Sequence, residues 1–164
     1  MNPLTDPQKH PEYRPCVGIM VINSDGLVFA GRRIKGVEAR QHEWQMPQGG
    51  IDAGEETHPA ALRELLEETG ISSVKMLAQS TNWLSYDFPT DMVKPWGGYI
   101  GQTQKWFAFK FIGTDDEINL NYSPHAEFSE WKWVTMQEIV NLVVPFKRTV
   151  YETVVAEFAN LAGA

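Results

Sequence analysis

Residues 49–71 read GGIDAGEETHPAALRELLEETGI, a glycine-containing segment followed by an amphipathic one. Its second half predicts an α-helix, because Thr57 or His58 can serve as N-cap and Pro59 fits the first turn. Gly70 is the left-handed stop expected after the last turn of such a helix. The first half carries three glycines, which let the backbone turn sharply and approach a metal ion or a phosphate group closely.

Three glutamates, Glu64, Glu67 and Glu68, share one face of this predicted helix, since spacings of three and four residues bring side chains together. Apolar residues take the opposite face. An acidic helix face usually means only a solvated surface. Here the like charges repel one another, and only Arg63, which can pair with Glu67, is near enough to offset them. Clustered carboxylates suit hard cations such as Mg²⁺ or Mn²⁺, so the pattern predicts a metal site.

The whole stretch resembles a complete Nudix box, the signature of hydrolases that act on a nucleoside diphosphate linked to another group. The positions that carry the resemblance are Gly49, Glu55, Arg63-Glu64-Leu65, Glu67-Glu68 and Gly70-Ile71. It implies an α/β fold, a Nudix-type α/β/α sandwich with a mixed β-sheet and the box as a loop–helix–loop beside it. The order of elements independently favours a mixed sheet with helices on both faces, because strands precede and follow the box helix.

Outside the box, the expected elements follow from hydrophobic pattern and turn residues. Residues 15–23 and 27–33 predict a hairpin of two strands, 35–43 and 87–101 predict loops, and 73–86 predicts one or two strands. The later segments predict two more strands and two helices. These are strands at 105–112 and 130–134 and helices at 136–143 and 148–162.

The resemblance extends over roughly residues 13–161, through segments such as EWQMPQGGI, NWLSYDFP and IGQTQKWFAFKF. They are similar to bacterial RNA 5′-pyrophosphohydrolases and to the asymmetric diadenosine tetraphosphate hydrolases of bacteria and plants. The first group implies hydrolysis of the 5′-polyphosphate of RNA, which releases pyrophosphate and leaves a 5′-monophosphate. The second implies cleavage of dinucleoside polyphosphates to ATP and AMP, and one protein can do both. A nucleotide sensor without catalysis is the third reading, and the intact carboxylate set argues against it.

The resemblance also implies roles for individual residues. Glu64, Glu67, Glu68, Glu127 and the backbone carbonyl of Gly49 would hold more than one Mg²⁺ or Mn²⁺ ion. Glu67 and Glu127 are the candidates for the general base.

Around these carboxylates, Arg63 would orient the box. Residues that would contact the phosphate chain or the nucleotide are Arg14, Arg33, Gln48, Tyr86, Phe146 and Lys147. Arginine and lysine suit phosphate oxygens, and Tyr86 and Phe146 could sandwich a base. Surface charge for the cations and ordinary core packing for the rings remain open alternatives.

Composition bounds the remaining expectations. A chain of 164 residues, 43% hydrophobic and 21% charged, suits one globular domain, here 13–164, preceded by a flexible arm at 1–12. A single cysteine, Cys16, excludes an internal disulfide and, with no secretory pattern and no membrane span, predicts a cytoplasmic protein. The net charge of −7 disfavours an extended duplex-binding surface, although a short RNA end or a small polyphosphate remains compatible with it.

Overall fold

The structure is a computed structural model that describes residues 6–34, 43–89 and 97–163. Predictions for the arm at 1–12 and for the loops at 35–43 and 87–101 therefore lie partly outside the described residues. Strands and α-helices in the described ranges are, in chain order, β1 (Tyr13–Ile22), β2 (Val28–Arg33), β3 (Trp44–Gln45), β4 (Gln48–Gly50), α1 (Thr57–Thr69), β5 (Val74–Gln79), β6 (Leu84–Asp87), β7 (Gly101–Phe111), β8 (Phe128–Val134), α2 (Met136–Leu142) and α3 (Arg148–Phe158).

A mixed sheet forms the centre of the molecule. Its main path runs β3-β2-β1-β7-β5, with β4 paired to β1, β6 to β7 and β8 to β2. The pairing of β1 with β7 is parallel and continuous from Tyr13–Gly101 to Ile22–Lys110, whereas the other pairings are antiparallel. Because both faces of the sheet are covered, β1 is apolar without interruption from Cys16 to Ile22, whereas β7 is mainly apolar only after Lys105 and buries polar residues before it.

Helices cover both faces of this sheet. On one face, α1 buries Ala60, Ala61 and Leu65 against strand residues such as Ile19 and Phe107. On the other, α2 and α3 pack on a cluster that is centred on Met20, Trp106 and Tyr151 and extends to Phe158. This arrangement confirms the predicted α/β/α sandwich with a mixed sheet.

Helix α1 differs from its prediction in two respects. It begins at Thr57 with Glu56 as N-cap and without a side-chain capping bond, so the assignment of Thr57 or His58 as N-cap is wrong. Gly70 does end the helix in the left-handed conformation, with φ 74°. The buried side is also rotated: Leu62 is exposed, whereas Glu68 is buried beside Leu65, which turns one of the carboxylates toward the sheet.

The other elements agree with the sequence to within a few residues. Cys16 is buried in β1, and 73–86 contains two strands, β5 and β6. The last helix ends at Phe158 and continues as a 3₁₀ turn, Ala159–Gly163, instead of running to 162 as one helix. Within the described ranges, no helix combines the length and apolar character that a membrane crossing needs.

Candidate active site

A polar cavity of about 480 Å³ opens where β1, β4, β7 and the acidic face of α1 meet. It brings together every residue that the sequence predicted for the site except Arg63. Those lining it are Arg14, Arg33, Gln48, Gly49, Glu64, Glu67, Glu68, Tyr86, Glu127, Phe146 and Lys147. Carboxylates and cations thus share one cavity, which is the charge pattern needed to hold a metal ion together with a phosphate chain.

Close packing of β4 on α1 sets the position of Glu64. A Cβ added at Gly49 would lie 2.5 Å from Glu64 Oε1 and would overlap the carboxylate carbon. Glycine is therefore needed at position 49 because the Glu64 carboxylate packs directly against its backbone. An unusual backbone angle is not the reason, since Gly49 is not among the glycines with positive φ. Burial is the main cause that raises the pKa of Glu64 above its ordinary value.

Arg63 organises the box from outside the cavity. Its Nε and Nη2 donate to the two oxygens of Glu55 at 2.9 and 2.8 Å, a bidentate pair, and Nη1 donates to Glu64 at 2.9 Å. Nη2 also donates to the Gly50 carbonyl at 2.9 Å, whereas the predicted pair with Glu67 is longer, at 3.4 Å. The Arg63 bonds to Glu55, together with the bond that Glu55 accepts from the Asp52 backbone N–H, lower the pKa of Glu55 to about 2. Arg63 thus ties the glycine loop to the helix, which fits the predicted orienting role.

Glu68 is a buried carboxylate of the box that lacks a hydrogen-bond partner within the described ranges for one of its oxygens. It is 7% exposed, it accepts a bond from the Gln48 backbone N–H, and its Oε2 is buried with no hydrogen-bond partner among the described residues. Burial, with smaller contributions from Glu64 and Glu127, raises its pKa well above the ordinary value. A buried carboxylate oxygen without a partner is costly unless a cation satisfies it.

This donor set fits a divalent ion in type. The orphaned oxygen of Glu68, the adjoining Glu64 and the charge of Glu127 are the oxygen groups that Mg²⁺ and Mn²⁺ prefer. As the side chains stand, no three His, Cys, Asp or Glu residues of the described ranges are gathered closely enough to hold an ion. Arg63 fixes one oxygen of Glu64 at 2.9 Å and makes only a long contact of 3.4 Å with Glu67, so Glu67 is the less constrained of the two carboxylates.

Cations line the same cavity, and the charges of Arg14 and Lys147 act on Glu64 and Glu68 respectively. Lys147 is 4% exposed, its Nζ donates to Gln45 Oε1 at 3.0 Å and lies 5.6 Å from the centroid of the Tyr86 ring. Burial, reinforced by the charge of Arg33, lowers the pKa of Lys147 to about 7. Arg14 extends toward Gly50, where an added Cβ would meet its guanidinium.

The predicted base sandwich between Tyr86 and Phe146 is wrong in this arrangement. Their ring centroids are only 5.6 Å apart with planes tilted by 49°, whereas a base stacked between them would need about 7 Å, two carbon contact distances. Tyr86 is fully buried and its hydroxyl donates to Gln102 Oε1 at 2.8 Å. The partly exposed Phe146 ring remains the candidate for stacking on a base from one side.

Sequence reasoning missed several residues of the cavity. Gln45, Gln102, Ser123 and His125 line it without having been predicted. For Gln102 a signal was present, since two glutamines at 102 and 104 precede the aromatic half of a predicted strand, and buried amides need hydrogen-bond partners. Ser123 and His125 lie in an irregular segment after β7, where periodicity carries no information.

The Nudix domain model matches residues 12–154, nearly the whole of the described fold. The chain belongs to the Nudix family. Enzymes of this family are hydrolases that generally need a divalent metal ion, which agrees with the carboxylates gathered on α1. The matched region includes β1, the box and most of α3, and all residues that line the cavity lie within it.

Similar proteins cover the chain almost from end to end. It is 55% identical over 158 residues to a protein of Afipia carboxidovorans named RNA pyrophosphohydrolase, covering 92% of this chain and 95% of that one. A protein of the same name from Brucella ovis is 52% identical over 168 residues, covering 97% and 94%. The solved dihydroneopterin triphosphate pyrophosphohydrolase of Escherichia coli has a TM-score of 0.68 at 18% identity, covering 88% and 98%, and supports the fold.

Proposed function

We propose that this Nudix enzyme hydrolyses the 5′-polyphosphate of RNA, releasing pyrophosphate and leaving a 5′-monophosphate end, in the cytoplasm. The observation that carries the proposal is identity of 52–55% to proteins named RNA pyrophosphohydrolase over more than 90% of both chains. The cavity supports it, because acidic and basic side chains line one space whose volume suits a phosphate chain and one nucleotide. The net charge of −7 fits an enzyme that binds only the end of an RNA strand.

Two sets of side chains share the proposed chemistry: carboxylates that would bind metal ions and cations that would bind the phosphate chain. Glu64, Glu67, Glu68, Glu127 and the Gly49 carbonyl would hold Mg²⁺ or Mn²⁺, with more than one ion bound. When bound, such ions polarise phosphoryl oxygens and lower the pKa of an attacking water. In the described chain, 45% of the Glu67 side chain is exposed and only its long contact with Arg63 occupies it, so Glu67 has the freedom to accept the proton of that water.

The cations of the cavity would hold the substrate. Arg33 and Lys147 line the cavity near each other, since the charge of Arg33 acts on Lys147, and both suit phosphate oxygens. Arg14 approaches from β1 on the side of Gly50. Phe146 would stack on the first base from one side. These contacts would orient the phosphate chain toward the carboxylates, and positioning of this kind supplies much of the rate enhancement in phosphoryl transfer.

A comparison of two substrates tests the proposal. Purified protein is offered 5′-triphosphate RNA and diadenosine tetraphosphate side by side with Mg²⁺ or Mn²⁺, and kcat/KM is measured for each. The expected result is a higher kcat/KM for RNA, with pyrophosphate and 5′-monophosphate RNA as products. A Glu68→Gln protein prepared in the same way excludes a contaminating phosphatase. A higher kcat/KM for diadenosine tetraphosphate, with ATP and AMP as products, would replace the proposal by its alternative.

A further inference from the structure

The floor of the cavity is a chain of buried amides that begins in the core. Trp106 Nε1 donates to Gln104 Oε1 at 2.9 Å, and Gln104 Nε2 then donates to Gln102 Oε1 at 3.0 Å and to Gln48 Oε1 at 3.2 Å. Gln104 and Trp106 are both fully buried, whereas Gln48 and Gln102 line the cavity. This series of hydrogen bonds therefore connects Trp106 and Gln104 in the core to Gln102 and Gln48 at the cavity.

The direction of every amide in this chain follows from its first donor. The indole N–H of Trp106 can donate but cannot accept, so the oxygen and not the amino group of Gln104 must face it. The Gln104 amino group then has to point toward the cavity, where it meets the oxygens of Gln102 and Gln48. Gln48 Oε1 and Gln102 Oε1 both accept from the Gln104 amino group. If either side-chain amide rotated by half a turn, its own amino group would face that of Gln104, and two donors would be in contact.

The consequence for the cavity is an excess of donors. Gln102 Oε1 accepts from Gln104 at 3.0 Å and from the Tyr86 hydroxyl at 2.8 Å. Its oxygen is therefore occupied, and its amino group is the part of the amide that can donate to a ligand in the cavity. The Gln48 amino group has only long contacts, 3.4 Å to Gln102 Oε1 and 3.5 Å to the Tyr86 hydroxyl, and these leave it able to donate to a ligand. Gln102 is paired with Arg14 between β7 and β1, and Gln48 directly precedes Gly49, so both amides stand on strands that also carry residues predicted to contact phosphate or metal.

We propose that Gln104 is a positioning residue, oriented by Trp106, that turns the amino groups of Gln48 and Gln102 toward the phosphate oxygens of the substrate. The inference deepens the proposed function and rests on it only for the identity of the substrate, because every polyphosphate substrate presents such oxygens. Donors to phosphate oxygens whose charge does not change during the reaction bind the phosphate chain equally in the ground state and in the transition state. Their effect therefore falls on KM more than on kcat.

Gln104→Met tests the inference, since it keeps the length of the side chain and removes both polar ends. We expect KM to rise about tenfold, the equivalent of one good hydrogen bond, with kcat changed by less than about threefold. Trp106→Phe, which leaves Gln104 intact but removes its fixed donor, should raise KM similarly, and the double variant should be no worse than the stronger single one. Either single variant suffices if the other fails to fold.

Ser80→Ala is the matched control. The Ser80 hydroxyl accepts from the backbone N–H of Trp106 at 3.0 Å and is buried, but it lies outside the cavity and outside the amide chain. This variant should lower the melting temperature with unchanged KM. A folded Gln104→Met or Trp106→Phe protein with unchanged KM overturns the inference, and so does a loss that falls on kcat alone. A KM change that depends on the first base also overturns it, because phosphate oxygens are the same in all substrates.

The inference can fail separately from the proposed function. If the wild-type protein prefers diadenosine tetraphosphate, the same KM comparison is made on that substrate. If it hydrolyses neither substrate, binding of inorganic triphosphate is measured by calorimetry, and Gln104→Met should raise Kd about tenfold. An unchanged Kd in that experiment would overturn the inference whatever the enzyme hydrolyses.

Discussion

Gly49→Ala is a one-carbon test of how the glycine loop positions the box carboxylates. The new Cβ would overlap Cδ and Oε2 of Glu64 and lie 2.5 Å from its Oε1, whereas ordinary contacts begin at 3.4 Å, so the carboxylate has to move by more than about 1 Å. A misplacement of that size costs on the order of 10²-fold in rate, so we expect kcat/KM to fall about 100-fold, close to 3 kcal/mol of transition-state stabilisation. The unfolding free energy should fall by only about 1–2 kcal/mol, since a single hydrogen bond, Arg63 to Glu64, is disturbed.

The assay measures initial rates over a range of substrate and metal concentrations, alongside a urea unfolding curve for each protein. Gly54→Ala is the control from the same loop. It has φ 78° and nothing within 4 Å of an added Cβ, so it should lose stability through backbone strain and keep its activity. If Gly49→Ala retains kcat/KM within about threefold of the wild type, the packing of β4 on α1 does not set the position of Glu64 and the reasoning is refuted.

Four further outcomes are expected. Glu68→Gln should cut kcat severely while the thermal transition survives, and EDTA should abolish wild-type turnover until Mg²⁺ or Mn²⁺ is added; an active, metal-independent enzyme would contradict the site. Phe146→Ala should raise KM with little change in melting temperature, whereas a stability loss of about 3–5 kcal/mol with normal KM would assign the ring to the core. The pKa of Lys147 is lowered from 10.5 to about 7, so between these values the unfolded chain binds more protons than the folded one and the stability contributed by this group rises with pH. Lys147→Met should remove that rise, read as urea midpoints from neutral to alkaline pH. Finally, the logarithm of RNA affinity should fall with the logarithm of salt concentration with a slope of about −2, from two or three contacts at about −0.7 each, and lengthening the RNA should not steepen it.

The acidic face of α1 was predictable because helix geometry alone brings Glu64, Glu67 and Glu68 together. The burial of Glu68 was not. It depends on the angle at which the helix meets β4 and the sheet, and tertiary packing sets that angle. The same limitation explains why Leu62, placed on the apolar face by periodicity, is exposed.

Residues far apart in sequence were harder to combine. The box pattern indicated that Arg63 is important, but its bidentate partner Glu55 lies in the loop before the helix, where no helical spacing relates the two. Tyr86 and Phe146 were correctly placed in one cavity, yet their direct contact is a matter of side-chain packing that excludes the predicted sandwich. Roles in metal binding and catalysis stay predictions until the variants above are measured.

The parallel pairing of β1 with β7 has a kinetic consequence. The two strands join segments roughly ninety residues apart in the chain, and Arg14 and Gln102 enter the cavity from them. Because β7 follows α1 in the chain and non-local pairings are slow to form, the carboxylates of α1 and the amides of β7 meet only after most of the polypeptide has been synthesised. A nascent chain that ends before β7 should therefore have no affinity for polyphosphate, and catalytic competence should appear in a single late step during refolding.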